Sequence, residues 1–247
     1  MSTPIRYSFQ RCEKKYFVTP AQQQALLGAL AAHMQPDAYG SYTICNIYYD
    51  TNDWRLIRAS IEKPIYKEKL RVRSYGVPAD GAPVFVELKK KLDGIVYKRR
   101  VTLPAELAAP FLSGSAPQAA QGQIADEILW FQRVYRAVPK VFLAYDRTAF
   151  AGLDDPELRL TFDRNIRWRT DALDLRLGGG GTPLLGSGRI LMELKLPGIC
   201  PMWLGRLLSE LSVYPAAFSK YGCCYQDCIL PQAAENYTIF KEARYSA

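Results

Sequence analysis

The sequence has almost no histidine, since His33 is the only one among its 247 residues. His33 follows an alanine- and leucine-rich stretch that is typical of a helix, so a Ser-His or Cys-His catalytic pair is not expected. The six cysteines form no CxxC pair, and no histidine lies near the group at positions 223, 224 and 228. A zinc site is therefore not expected, and reduced thiols are predicted.

Long apolar runs are also missing. No stretch approaches the roughly 18–20 apolar residues that a membrane span requires. The N-terminus has no basic start followed by an apolar segment, so no secretory signal is expected. These absences predict a cytoplasmic protein without a membrane span.

Two glycine-rich phosphate-binding motifs are absent as well. There is no GxGxxG segment, and the parallel strand–helix–strand alternation of a dinucleotide-binding fold is not seen. The run Gly178–Gly181 lacks the GxxxxGK[ST] pattern, so it is not a P-loop. We predict a flexible, disordered hairpin tip at this run.

The sequence does contain a large apolar fraction and an excess of positive charge. Hydrophobic residues make up 49% of the chain and aromatic residues 12%, which allows a sizeable core and argues against disorder. The length is sufficient for one large β-barrel domain or two small domains. The formal net charge of +8 favours an anionic partner, which is a nucleic acid, a nucleotide, polyphosphate or an acidic membrane surface.

A β-hairpin is predicted over residues 84–101. Its turn is expected at Asp93-Gly94, because this dipeptide favours the positive φ angles of tight hairpin turns. Side chains alternate between the two faces of a strand. The aliphatic residues before the turn are therefore expected on one face, and Glu87 and Lys89 on the other.

Five further segments carry charged or polar residues at the same two-residue spacing. They are Glu13/Lys15, Lys69/Arg71/Arg73, Tyr145/Arg147, Arg159/Thr161/Asp163 and Glu193/Lys195. Each segment alone fits a half-exposed strand with one solvated face. Together, the repeated cations around a few carboxylates favour a closed barrel with a charged lumen. Like charges across a lumen repel unless water or a polyanion fills it.

The predicted fold is α+β and β-dominated, with a closed antiparallel β-barrel and helices packed outside. Strands are predicted at 5–18, 42–49, 65–75, within the hairpin at 84–101, and at 139–150, 158–168 and 189–196. Helices are predicted at 22–34, 54–61, 104–112, 124–136 and 203–211. Thr19 is expected to cap the first helix and Pro20 to begin it.

A lumen with many Arg and Lys side chains and a few carboxylates suits phosphate chains with a divalent metal. Guanidinium groups bind phosphate oxygens bidentately, and carboxylates are hard ligands for Mg²⁺ or Mn²⁺. Phosphoryl transfer depends on positioning and charge neutralisation more than on a protein nucleophile. The lack of a catalytic histidine therefore does not count against this chemistry.

Nine short motifs, in a fixed order along the chain, carry a family resemblance. They are Arg11-x-Glu13-x-Lys15-Tyr16, Tyr48-Tyr49-Asp50-Thr51, Lys69-x-Arg71-x-Arg73, Glu87-x-Lys89, Lys98-x-Arg100, Tyr145-x-Arg147-x-x-Phe150, Arg159-x-Thr161-x-Asp163-Arg164, Glu193-x-Lys195 and Ser219-Lys220-Tyr221. This series resembles the VTC domain, the polyphosphate polymerase module of the vacuolar transporter chaperone complex, within the triphosphate tunnel metalloenzymes. The resemblance covers roughly residues 5–230. It predicts a single VTC-like tunnel domain over residues 1–247, with a C-terminal tail at 231–247.

The resemblance implies a tunnel in which the γ-phosphate of ATP, or of another nucleoside triphosphate, is transferred to polyphosphate or pyrophosphate with Mn²⁺ or Mg²⁺. It implies that the following residues bind phosphate and take part in catalysing its transfer: Lys15, Arg71, Arg73, Lys89, Lys98, Arg147, Arg159 and Lys220. Tyr145 would donate a hydrogen bond to a phosphate oxygen, Glu193 would hold the metal, and Glu87 would assist it. Arg100 and Lys195 would also bind phosphate, but they and Glu13 could equally form the ion pairs that keep the lumen charges apart.

One position departs from the wider superfamily, whose members begin with ExExK where this chain has RxExK. Arg11 removes a potential metal ligand and adds positive charge. This change disfavours hydrolysis with two metals and agrees with a polymerase.

Three other functions stay open: a metal-dependent triphosphatase of the same fold, a module that binds polyphosphate or nucleotide without turnover, and a nucleic-acid binder. The last is not favoured, because nucleic-acid modules interleave basic residues with exposed aromatic ones. Here the cations alternate with aliphatic residues and lie near glutamates. The sequence does not predict the oligomeric state.

Overall fold

The structure, a computed structural model, describes residues 12–232. Its strands are β1 Cys12–Val18, β2 Met34–Asp50, β3 Tyr66–Tyr75, β4 Pro83–Leu92, β5 Ile95–Pro104, β6 Val138–Gly152, β7 Arg159–Arg169, β8 Thr182–Pro183 and β9 Ile190–Leu196. Its α-helices are α1 Pro20–Leu30, α2 Arg55–Ile61, α3 Ala108–Ser113, α4 Gln123–Tyr135, α5 Met202–Glu210 and α6 Lys220–Cys223. Short 3₁₀ helices lie at Ala105–Leu107, Pro117–Ala119 and Leu175–Leu177, and a π-helix at Cys224–Ile229 follows α6.

The predicted β-dominated α+β class is therefore confirmed. Within residues 12–232, none of the helices combines the length and the apolar composition that crossing a membrane requires.

Hydrogen bonding places the strands in the order β1-β9-β7-β6-β2-β3-β4-β5, with β8 beside β7. The register is antiparallel in the pairs β1–β9, β7–β9, β2–β3, β3–β4, β4–β5 and β7–β8. In the described part of the chain, β1 and β5 stand at the two ends of this order. The predicted antiparallel sheet is thus present, but its closure into a barrel is not confirmed.

The described chain forms two compact units. The first unit consists of residues 12–42, 145–165 and 185–217, and the second unit of residues 43–144, 166–184 and 218–232. Each unit has its own apolar core. The assignment of residues 1–247 to a single domain stays a prediction.

The core of the first unit contains the apolar faces of β1, β7 and β9 together with residues of α1 and α5. Leu160 and Leu194 are fully buried there, while the residues next to them in sequence place polar side chains on the opposite face. At the start of α1, Gln22 N donates to Thr19 Oγ1 (3.2 Å), and the Gln22 side chain accepts from Thr19 N (2.9 Å). The predicted cap of this helix, with Pro20 following it, is confirmed.

The core of the second unit contains the aliphatic faces of β3, β4 and β5 together with residues of α3 and α4. Val84, Val86 and Leu88 in β4 are completely buried in it, as the alternation predicted. β4 and β5 meet at Asp93-Gly94, whose φ angles of 43° and 82° fit a tight two-residue turn. Glu87 and Lys89 therefore lie on the face opposite to the core, whereas Lys90 and Arg99 lie on the core side, near Glu127 of α4.

The first helix is shorter and the second strand longer than predicted. α1 ends at Leu30 and β2 begins at Met34, whereas the predicted helix reached Met34 and the predicted strand began at position 42. Alanine favours a helix in isolation. However, Met34 is buried in the core of the first unit, and the carbonyl oxygen of His33 accepts from Leu153 N (2.9 Å). Core packing and this backbone pairing override the local helical preference.

The four-glycine run is held in place, which corrects the prediction of a disordered hairpin tip. The guanidinium groups of Arg167 and Arg169 donate to the carbonyl oxygens of residues 178–180, and the two bonds from Arg169 measure 3.1 and 2.6 Å. β8 then pairs with the end of β7. A Cβ at Gly181 would meet the carbonyl oxygen of Trp168 at 2.7 Å, so glycine is required there by a close backbone approach.

Helical structure after residue 219 was not predicted. Ser219 Oγ accepts from Gly222 N (3.2 Å) at the start of α6, which continues into the π-helix. Residues 231 and 232 belong to the predicted tail and are helical. The rest of that tail lies outside the described residues.

Candidate functional site

The polar faces of four strands in the second unit form a row centred on one carboxylate. The register places Tyr48 of β2 opposite Arg71 of β3, Arg71 opposite Glu87 of β4, and Glu87 opposite Arg100 of β5. Residues directly opposite in neighbouring strands share a face. One glutamate is therefore flanked by guanidinium groups from both neighbouring strands, in what we call the glutamate row.

A second row contains lysines only. Lys69, Lys89 and Lys98 lie directly opposite one another on β3, β4 and β5, and we call them the lysine row. Like charges directly opposite each other destabilise a sheet. Lys69 Nζ donates to Ser219 Oγ (3.3 Å), and Lys98 Nζ lies 3.3 Å from Glu87 Oε1. A bound anion would add a negative charge beside all three lysines.

Glu87 is the electrostatic centre of these rows, and its side chain is 2% exposed. Its Oε2 lies 2.8 Å from Arg71 Nε, 2.7 Å from Arg71 Nη2 and 3.8 Å from Arg73 Nε, while Oε1 lies near Lys98. Burial alone would raise the pKa of Glu87, but Arg71, Arg73 and Lys98 together lower it to about 2. Three cations thus surround both oxygens. Such an environment suits a carboxylate that positions cations, and the metal-assisting role that the resemblance implies for Glu87 stays a prediction.

The other predicted residues of the second unit take different positions. Arg73 is buried, and its Nε donates to Asn46 Oδ1 (3.1 Å). The guanidinium group of Arg100 is exposed and lies 4.8 Å from the centre of the Phe85 ring. Lys220 is half-buried at the first position of α6. The structure therefore brings Arg71, Arg73 and the lysine row together, with Arg100 at the adjoining edge strand.

Two tyrosines that were not predicted as site residues join this cluster. Tyr48 is 8% exposed, and its hydroxyl oxygen accepts from Arg71 Nη1 (3.2 Å). Its ring stacks on that of Tyr221, with 4.6 Å between ring centres and 20° between planes. The Tyr221 hydroxyl donates to Asp50 Oδ2 (2.9 Å), and Asp50 is completely buried. Both tyrosines lie in motifs that carried the family resemblance, but a motif does not show which side chains stack.

In the first unit, one arginine bridges two carboxylates. Arg147 Nε and Nη2 donate to the two oxygens of Asp163 (2.6 and 2.7 Å), and Nη2 also donates to Glu193 Oε2 (3.2 Å). Asp163 is completely buried, and the other two residues are less than a tenth exposed. Burial alone would lower the pKa of Arg147, but Tyr145, Asp163 and Glu193 raise it, so the guanidinium stays charged. We call these three the arginine–carboxylate cluster.

The neighbours of this cluster follow from the register of β1, β9 and β7. Two cross-strand rows are formed, Lys15–Glu193–Thr161 and Glu13–Lys195–Arg159. Lys15 Nζ lies 3.5 Å from Glu13 Oε1. Arg159 is exposed, and its Nε donates to the carbonyl oxygen of Pro156 (3.3 Å), within its own turn. Tyr145 is buried, and the Arg147 guanidinium lies 5.1 Å from its ring centre.

The contacts that each carboxylate already makes bear on whether it suits a divalent metal. Between residues 12 and 232, no group of three or more His, Cys, Asp or Glu side chains is arranged to hold a metal. Asp163 is bound on both oxygens by Arg147. Glu193 also accepts from Arg147, at the longer distance of 3.2 Å, and its role as the ligand of a divalent cation stays a prediction.

Two expectations reach beyond what the structure describes. The prediction that Arg71, Arg73, Lys89, Arg147 and Arg159 face one cavity joins residues of both units, and it stays a prediction. The argument from Arg11 concerns a position outside the described residues.

Comparisons with known proteins add a family and a fold. The model of a family described as "VTC domain" matches residues 10–229. A comparison with curated proteins found no match. A solved structure from Hippeastrum, of a candidate adenylyl cyclase reported to have a dominant triphosphatase activity, is similar with a TM-score of 0.50 and 18% identity. The match covers 85% of this chain and 92% of that one. A candidate adenylate cyclase from Vibrio parahaemolyticus is 11% identical with a TM-score of 0.48, covering 88% of this chain and 98% of that chain. The likeness to the Hippeastrum protein supports the fold.

Proposed function

The chain belongs to the VTC domain family, as its motifs predicted, and from this premise we propose that it is a polyphosphate polymerase. It transfers the γ-phosphate of ATP, or of another nucleoside triphosphate, to polyphosphate or pyrophosphate, with Mn²⁺ or Mg²⁺. We also propose that the sheet encloses the phosphate chain as a tunnel and that the protein is cytoplasmic.

The lysine row is the observation that chiefly supports this proposal. Three adjacent strands place Lys69, Lys89 and Lys98 directly opposite one another, which is unfavourable for a sheet without a counter-charge. A phosphate chain carries negative charge along its whole length. Such a ligand offsets the repulsion of the row, and the adjoining guanidinium groups add bidentate contacts to phosphate oxygens.

The predicted residues take the following roles in the proposal. Phosphate is held by Arg71, Arg73, Lys89, Lys98, Arg100 and Lys220 in the second unit, and by Lys15, Arg147, Arg159 and Lys195 in the first, where Tyr145 donates a hydrogen bond. Glu87 positions Arg71 and Lys98. Glu193 would hold the divalent cation, which neutralises charge on the phosphate oxygens during transfer.

The pairing of the buried carboxylates favours transfer over hydrolysis with two metals. Sites with two metals bind both ions with carboxylates at short range. In the described chain, Glu87 is paired with Arg71 and Asp163 is paired with Arg147. Glu193 contacts Arg147 at the longer distance of 3.2 Å, which supports it as the ligand of a single metal.

Incubation with ATP and Mn²⁺ tests the proposal, with chain length and released phosphate measured together. Chain growth is expected. Phosphate release without chain growth would identify a hydrolase, and protection against melting without any product would identify a binding module.

A matched pair of double variants serves as the control. Lys89→Ala/Lys98→Ala removes two cations of the lysine row and should abolish product. Lys90→Ala/Arg99→Ala removes the same charge from the same two strands, but on the face that contacts Glu127, and should retain product.

Tripolyphosphate is expected to raise the melting temperature both with and without EDTA, with a smaller shift in EDTA. The cations outnumber the acids that fit a metal, so chelation should weaken binding without abolishing it. A thermal melt of the wild type in both conditions checks this. The absence of a shift in either condition would contradict phosphate binding altogether.

A further inference from the structure

The Tyr48 hydroxyl lies among side chains that only donate hydrogen bonds. Its oxygen accepts from Arg71 Nη1 at 3.2 Å, and the charges of Lys69 and Arg73 also act on it. Guanidinium and ammonium groups have no acceptor atom. None of these cations can therefore take the proton of the phenol.

The nearby carboxylates are used by other groups. Glu87 is surrounded by Arg71, Arg73 and Lys98. Asp50 accepts from Tyr221 and from two backbone N–H groups at the start of α2, each at 2.9 Å. Within residues 12–232, Tyr48 makes no hydrogen bond besides the one from Arg71, although it is 8% exposed. A buried donor without an acceptor is costly, so this geometry indicates an acceptor that arrives with a ligand.

We propose that Tyr48 is a further anion-binding residue, which donates its phenol proton to an oxygen of the same phosphate chain that Arg71 binds. The inference rests on the proposed function, because it needs a phosphate ligand on the polar face of the second unit. The cations around the phenol favour an anionic ligand. A phosphate supplies both the acceptor oxygen and a negative charge beside the lysine row, whereas a neutral acceptor supplies the oxygen alone.

Tyr221 and Asp50 hold the phenol in this position. The Tyr221 ring stacks on Tyr48, and its hydroxyl is anchored by the buried Asp50 carboxylate. Asp50 is fixed in turn by the backbone of α2. Tyr48 is therefore pre-positioned before a ligand binds, which reduces the entropy lost on binding.

The same surroundings make the phenol acidic. Burial alone would raise the pKa of Tyr48, but Arg71, Lys69 and Arg73, with the hydrogen bond from Arg71, lower it to about 8. The other ionisable groups around it are Glu87 and Lys98 beside Arg71, Asp50 and Tyr221 at the stacked ring, and Lys220 next to Tyr221 in the chain. Below this pKa the phenol can donate to an anion, and above it the phenolate repels one. Anion binding must therefore raise the pKa of Tyr48, and anion affinity must fall as the pH rises through that value.

Calorimetric titration with inorganic tripolyphosphate in EDTA tests the proposal. Tyr48→Phe keeps the ring that stacks on Tyr221 and removes only the hydroxyl. At about pH 7, this variant should bind about tenfold more weakly than the wild type, the effect typical of one hydrogen bond to a charged acceptor. The matched control is Tyr49→Phe, which removes a hydroxyl one residue along β2, in the apolar core of the second unit. Its affinity should equal that of the wild type.

The pH dependence supplies a second measurement. The ratio of wild-type to Tyr48→Phe affinity should fall between about pH 7 and about pH 9, and the titration of the ligand itself cancels in this ratio. The near-ultraviolet absorbance of tyrosinate in the wild type should show a group with a pKa of about 8 that shifts upward with tripolyphosphate. This absorbance reports on the wild type alone and stays informative if the variant folds poorly.

The outcomes separate this inference from the proposed function. Weaker binding by Tyr48→Phe with unchanged binding by Tyr49→Phe supports the phenol contact. The phenol contact is overturned if all three proteins bind equally, or if tripolyphosphate does not shift the pKa seen in the absorbance titration. Either result leaves the proposed function standing. A wild type that binds no tripolyphosphate overturns both.

Discussion

Glu193→Gln is expected to lower the rate of phosphate transfer by about 10²–10³-fold, the loss seen when comparable electrostatic stabilisation is removed. Glutamine keeps the shape and one acceptor oxygen but lacks the charge that holds a hard divalent cation. Tripolyphosphate affinity should stay close to that of the wild type or increase, because the change removes a negative charge next to Arg147 and opposite Lys15. The deciding measurement is product formation at saturating Mn²⁺, alongside tripolyphosphate affinity.

A different outcome would assign Glu193 to structure only. Glu193 Oε2 lies 3.2 Å from Arg147 Nη2, and a residue that merely completes this ion pair would affect stability and not chemistry. The variant would then melt at a lower temperature while each folded molecule kept its wild-type rate. Glu210→Gln, an exposed acid of α5, controls for the loss of one negative charge and should change neither quantity.

Most of the secondary structure could be predicted because its signals are local. The alternation in β4 placed Val84, Val86 and Leu88 on one face, and all three are completely buried. Asp93-Gly94 adopts the backbone angles that its sequence favours. A strand pattern of period two and a turn dipeptide require no knowledge of the rest of the chain.

The pairings within the site could not be predicted, since they depend on register between distant segments. Tyr221 reaches Asp50 across 171 positions of sequence, and Arg147 reaches Glu193 across 46. The alternation showed that Arg71 and Glu87 lie on polar faces, but many cations could have been the partner of this carboxylate. The resemblance supplied the residue types of the site, and the register decided that Glu87 is enclosed by cations.

The segments predicted wrongly show tertiary contacts acting against local preference. A run of four glycines predicts disorder, yet Arg167 and Arg169 bind its carbonyl oxygens. Glycine allows the backbone to approach so closely that these bonds and the short β8 pairing can form. The glycines and the arginines are only 9 to 12 positions apart, but this spacing belongs to no local pattern that would predict the contact.

Asp163→Asn is expected to reduce the free energy of unfolding by about 3–5 kcal/mol, the range for removing one partner of a buried ion pair. Asp163 is completely buried and binds Arg147 through both carboxylate oxygens at 2.6 and 2.7 Å. The pKa of Arg147 is raised, so its guanidinium would stay charged and keep only part of its compensation from Glu193. Denaturant unfolding should show a lower midpoint with an unchanged slope, which separates lost stability from a change in the unfolded state.

Two variants separate the buried charge from other causes of this loss. Asp146→Asn, in the same strand as Arg147, changes a partly buried carboxylate that accepts from the neutral amide of Asn165 (2.9 Å). It should alter stability by less than about 1 kcal/mol. The double variant Arg147→Met/Asp163→Leu removes this pair of charges and should recover part of the stability that Asp163→Asn loses. Apolar replacement of a buried pair is often neutral, but Glu193 loses its contact with Arg147 in this variant. Suppose that the double variant recovered stability but bound tripolyphosphate as weakly as an Arg147→Met single variant. The guanidinium would then bind phosphate, and Asp163 would hold it in place. A double variant with wild-type affinity would instead contradict the phosphate-binding role proposed for Arg147.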